Sequence, residues 1–154
     1  MASLLQLHAT TTRFDAVLGD WAGSLLLLAI RVYVGWQFFK AGLTKIQDWE
    51  STLFLFQEEY AVPVLPPALA AVAGTVGELL LPLLLFAGLF SRPAALGLFF
   101  VNVIAVFSYP ALFEFACPAG LRDHFYWGVL LLAIMAFGPG RFSLDAALNR
   151  RHPG

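Results

Sequence analysis

Four long apolar runs set the plan of this chain, and two of them carry a charge near the middle. Leu25–Val34 leads on to Ile46, and Ala68–Phe90, Ala94–Phe107 and Phe125–Phe137 follow. Runs of this length exceed ordinary buried helices and approach the thickness of a bilayer. The last is short as written and becomes adequate when it starts near Leu121. The pattern predicts an all-α membrane protein, a four-helix transmembrane bundle with short interfacial helices. Residues 21–140 form the bundle. Residues 1–20 form an N-terminal tail with an interfacial turn, because Phe14, Val17, Leu18 and Trp21 recur at helical spacing. That stretch lacks a continuous apolar core and has Arg13 as its fixed positive charge, so the first run is expected to be a retained helix rather than a cleaved leader.

The connection at 47–66 has a period of its own. Trp49, Leu53, Phe56 and Tyr60 fall on one helical face, and Glu50, Gln57, Glu58 and Glu59 occupy the others. This predicts a short interfacial helix, acting as a lid or as an aromatic anchor. It ends at Val62-Pro63-Val64-Leu65-Pro66-Pro67, and Pro67 can open the second span as its first residue. Residues 141–154 read as an amphipathic cytoplasmic tail in which Ser143 caps a helix holding Leu144, Ala147 and Leu148.

Arg31 and Glu78 are the charges inside the apolar runs. If the first two spans begin at Trp21 and Pro67, both lie about 15 Å deep and can meet, since the spans are antiparallel. An unpartnered charge there costs from about 3 to 10 kcal/mol or more, so such residues face a partner or a polar cavity. Asn102 sits at similar depth in the third span, and Arg31, Glu78 and Asn102 are expected to form one ligand-binding or buried polar cluster. A buried pair also serves helix registry without chemistry, and the sequence leaves both roles open. Small residues support close packing: Gly35 and Gly42 share the Arg31 face, while Ala70, Ala71, Gly74 and Gly77 lie near Glu78. Pro82, one turn beyond Glu78, bends the helix beside the charge.

Composition strengthens the membrane setting: 60% of residues are hydrophobic and 12% charged, with a mean hydropathy of +0.78, outside the usual soluble range. Basic residues orient the spans. Arg13, Arg92, Arg141, Arg150 and Arg151 fall on one side, against Lys45 and Arg122 on the other with Lys40 near it, so both termini are expected in the cytoplasm. A net charge of −1 offers no argument for binding nucleic acid.

Intrinsic chemistry is sparse. The single cysteine, Cys117, excludes an internal disulfide and a dithiol relay. It and His124, beside Asp123 at the start of the fourth span, are candidate reactive residues of the outer face; an ordinary loop thiol and an interfacial anchor are the plainer readings. Glu114, Cys117 and His124 are ligand types without a secure tetrahedral spacing, so no metal is assigned. No phosphate loop or nucleophile elbow occurs.

Several segments in order resemble the DoxX family: Arg31-Val32-Tyr33-Val34-Gly35-Trp36 through Lys45, Val62-Pro63 to Pro66-Pro67, Gly77-Glu78-Leu79-Leu80-Leu81-Pro82, Gly88-Leu89-Phe90-Ser91-Arg92-Pro93, and Gly138-Pro139-Gly140-Arg141-Phe142-Ser143-Leu144-Asp145. The resemblance implies a small multi-pass protein of the bacterial inner membrane, often linked to redox systems. The related DoxD is a membrane subunit of a thiosulfate:quinone oxidoreductase. The matching helical Arg and Glu fall on Arg31 and Glu78. The expected function is a noncatalytic or cofactor-supporting subunit of a membrane redox system, with no cofactor of its own beyond a quinone held near the polar cluster. Redox proteins, the lipid bilayer and further copies of the chain are the expected partners. The alternatives are a small-solute or proton-coupled transporter, in which Glu78 changes protonation, and a structural assembly factor.

Overall fold

A computed structural model describes residues 2–113 and 118–151, and no strand occurs among them. Helix α1 runs without interruption from Ala2 to Gln47. No break in the helix marks the expected boundary between the N-terminal segment and the first span. The first proline of the chain is Pro63, and Gly19 and Gly23 alone do not end a helix whose flanks propagate it.

Helix α2, Trp49–Glu58, is the short helix anticipated from the aromatic period. Its N-cap is Asp48, whose carboxylate accepts from the Ser51 N–H at 3.0 Å. That hydrogen bond holds the Asp48 carboxyl below its ordinary range. Helix α3, Pro67–Ala87, opens on Pro67 and closes at Gly88. Gly88 has φ 66°, a left-handed conformation that glycine adopts without steric cost. Helix α4, Ser91–Ser108, follows at once. A 3-10 turn at Pro110–Phe113 leads toward α5, Pro118–Phe137. Because α5 starts at Pro118, Asp123 lies inside the helix and does not cap it. Helix α6, Leu144–Arg151, is capped by Ser143, whose Oγ accepts from Ala146 N–H at 3.1 Å.

Helices α1, α3, α4 and α5 form a closed ring in which α3 bridges α1 and α4, and α5 returns to α1. Their core is Val34, Phe38, Leu85, Ala94, Ala95, Leu98, Leu131 and Ile134. Close approach depends on Gly42: a Cβ there would stand 2.9 Å from the Leu79 side chain and 3.2 Å from Glu78 Cβ. The outside is also apolar, with Leu26, Leu80, Phe100 and Val129 all exposed, as suits a lipid environment. Among the described residues three stretches are long and apolar enough to cross a membrane: Val17–Gln47, Pro67–Ala87 and Ser91–Ser108.

Candidate functional site

The contact register between α1 and α3 separates the two buried charges. Gly42 lies against Glu78 and Leu79, and Gly35 against Phe86. Glu78 is therefore level with the end of α1, whereas Arg31 is level with the end of α3. Arg31 and Glu78 do not pair, and the expected cluster with Asn102 does not form. The midplane estimate failed because it measured depth from presumed helix starts, and α1 begins far earlier than Trp21.

Arg31 is fully buried and tied to backbone. It donates from Nη1 to Leu85 O at 2.9 Å and from Nη2 to Phe142 O, while its Nε has no partner among the described residues. Asp145 supplies the opposing charge nearby. The segment that passes beneath Arg31 is anchored repeatedly. Arg141 N–H donates to Ser24 Oγ at 3.1 Å, and the Arg141 guanidinium pairs with Asp20 and lies 4.7 Å from the centre of the Trp21 ring. The Asp145 carboxylate accepts from Phe90 N–H and Ser91 N–H at 2.9 and 3.0 Å. That caps α4, whose own N-cap residue, Phe90, has no side-chain acceptor. Arg31 is thus a structural rivet holding the C-terminal segment across one end of the bundle.

Glu78 meets Lys45 instead, with Nζ 2.6 Å from Oε1 and in contact with Oε2. The two side chains are 9% and 20% exposed, so the pair is largely withdrawn from solvent. Lys45 was legible only as an end-of-helix charge; nothing in the hydropathy pattern marked it as the partner. Thr52 Oγ1 donates to Lys45 O at 3.1 Å, fastening α2 to the end of α1. Asn102 pairs with His124 across α4 and α5: its Nδ2 donates to His124 O at 2.9 Å, and its Oδ1 lies 2.7 Å from His124 Nδ1. With the amide so oriented, Nδ1 carries the proton and the neutral imidazole keeps Nε2 as its acceptor. Cys117 and Glu114 lie outside the described residues. Among those residues no three His, Cys, Asp or Glu side chains gather in a group able to hold a metal ion.

The Lys45–Glu78 pair and His124 line one cavity of about 460 Å³ beneath α2, within the range of small-molecule sites. Phe38, Trp127, Phe56, Tyr60 and Tyr109 supply aromatic walls. Phe56, Tyr60 and Tyr109 meet edge to face, with centroids 4.9 and 5.2 Å apart. Burial raises the Tyr60 phenol above its ordinary range, so Tyr60 stays neutral at the cavity wall. Ala61 N–H donates to Ser108 O at 2.8 Å and draws the end of α2 against α4. The Ser108 hydroxyl is buried in this wall and has no partner among the described residues. A buried hydroxyl without a partner costs stability unless something else satisfies it.

Apolar outer faces, a closed ring of helices and an internal cavity with a charged pair define a multi-pass helical membrane protein with a cavity near one end. The chain belongs to the DoxX family, whose description it matches over residues 26–121. An uncharacterized protein of Haemophilus influenzae (strain ATCC 51907 / DSM 11121 / KW20 / Rd) is similar to it, 29% identical over 132 residues that span 82% of this chain and 85% of the relative. No solved structure matches the chain.

Proposed function

We propose that this DoxX protein is a quinone-binding subunit of a redox system in the bacterial inner membrane, with α5 as its fourth span and the cavity in the outward half. The observation that carries the reading is the aromatic cavity lined by Lys45, Glu78 and His124. The residues fit a quinone head. Lys45 Nζ is a donor for a carbonyl oxygen, and Phe38 and Trp127 offer apolar faces for a flat ring. When bound, a quinone would supply two-electron redox chemistry, taking up two protons on reduction and releasing them when its quinol is oxidised. This chain then holds protons rather than electrons. His124 Nε2 is an acceptor fixed by the Asn102 clamp, and the Glu78 carboxylate is a second acceptor poised by Lys45. Since the chain has no dithiol and a single cysteine, electrons must pass to or from a partner protein, and the two acceptors serve the direction in which the quinol is oxidised.

The test is mass spectrometry of small molecules retained by the intact purified complex. Native protein is expected to carry a quinone, and Glu78→Gln, which keeps shape, to lower quinone-linked turnover more than membrane abundance. Reproducible absence of quinone from a normally assembled native complex would overturn the reading.

A further inference from the structure

The cavity is sealed on most sides. Between α1 and α3, Gly42 lies in contact with Leu79 and Glu78; between α3 and α4, Gly77 meets Val101 and Gly97 meets Leu81. Phe38 and Trp127 close the α1–α5 side edge to face at 5.8 Å. Phe56 and Tyr60 cover the cavity on the α2 side, and Glu50, Glu58 and Glu59 are exposed on that segment, a surface unsuited to a hydrocarbon chain. The α4–α5 side differs. There a groove of about 700 Å³ opens on the apolar outer face, walled by Phe99, Val103, Val106, Phe107 and Val129. Its inner end is formed by Asn102 and His124, and His124 also lines the cavity. Gly128 leaves the floor low, since a Cβ there would reach within 3.4 Å of Asn102 Nδ2.

The geometry points to this groove as the binding site for the apolar tail of the cavity's ligand, which enters sideways from the membrane between α4 and α5. The inference rests on the quinone reading of the cavity and adds the ligand class: a lipophilic quinone with an isoprenoid chain. Its head passes the Asn102–His124 pair and its tail remains against Val103, Val106 and Val129. A polar pair at the junction suits that division, because carbonyl oxygens tolerate it and the chain lies beyond it.

The test uses the full chain in lipid nanodiscs and two probes: a benzoquinone with a photoreactive group in its isoprenoid tail, and the same head without the tail. In the native protein the tail is expected to label peptides 99–107 and 121–132, and excess tailless quinone is expected to displace the labelling. Val129→Trp, which fills the groove outside the cavity, should weaken the tailed probe about tenfold and leave the tailless head within about twofold. Displaceable labelling elsewhere, or groove labelling that the tailless head does not displace, overturns the inference and leaves the cavity reading intact. Equal loss of both probes in Val129→Trp overturns it as well. If native protein binds neither probe, the quinone reading itself fails and this inference goes with it.

Discussion

Lys45 and Glu78 form a largely desolvated pair, so each side chain makes the other tolerable in an apolar wall. Lys45→Met leaves the carboxylate buried without its partner and is expected to cost about 3–5 kcal/mol of stability. Adding Glu78→Gln removes the stranded charge and should restore most of that loss, as thermal unfolding in detergent will read. A Lys45→Met protein that unfolds at the native temperature would show the pair to be energetically idle. Arg31 acts differently, through two backbone carbonyls at the opposite end of α3. Arg31→Met is expected to raise amide hydrogen exchange across residues 138–151 while quinone retention changes less than about twofold, since the first cavity residues on α1, Gln37 and Phe38, lie about 10 Å along the helix and Lys45 about 20 Å. Unchanged exchange in that segment would remove Arg31 from the fastening. Arg31, Glu78 and Asn102 were legible as buried polar residues because hydropathy marks a charge or amide in an apolar run. Their partners were not, because pairing depends on the register between helices, which the glycine contacts set and hydropathy leaves unmarked.

Helix α2 was read correctly from Trp49, Leu53, Phe56 and Tyr60, and Pro67 was read correctly as the first residue of α3. Its fastening was harder to see. Asp48 caps α2 locally and Thr52 ties it to Lys45 at the end of α1, but Ala61 ties its end to Ser108 of α4, a contact remote from any local pattern. The Asp48 cap predicts a pH response. Its carboxyl is held below the ordinary range by the Ser51 N–H, so the folded helix favours the ionised form. The stabilisation is present above the unfolded carboxyl pKa and is lost as pH falls through the depressed folded value. A spin label at Glu58→Cys, in a Cys117→Ser background, should report a mobile α2 below that range and an ordered one near neutrality. With Asp48→Ala the label should be mobile at both, because an absent cap has no proton to gain. A label equally ordered across the titration would show that Asp48 does not hold the lid.

Four helices close the ring, yet among the described residues only α1, α3 and α4 are plainly long and apolar enough to cross a membrane. Arg122, Asp123 and His124 dilute the start of α5. The argument for a fourth crossing is geometric. Helix α5 returns alongside α4 and brings the chain back to α1, where Arg141 bonds Ser24 and Phe142 receives Arg31. The C-terminal segment thus lies at the end of the bundle opposite α2, the same end as the α3–α4 turn. Arg92, Arg141, Arg150 and Arg151 gather there, the bias expected of a cytoplasmic face. An even number of crossings leaves α2 outside and α6 inside; three crossings would put the tail on the same side as α2. Ser51 and Asn149 are exposed in these two helices, so each can be replaced by cysteine in a Cys117→Ser background and probed with a membrane-impermeant maleimide. Ser51→Cys is expected to react in intact cells, and Asn149→Cys only after permeabilisation. If both react in intact cells, α5 does not cross; if the pattern is reversed, the cavity faces the cytoplasm and its protons exchange with that compartment.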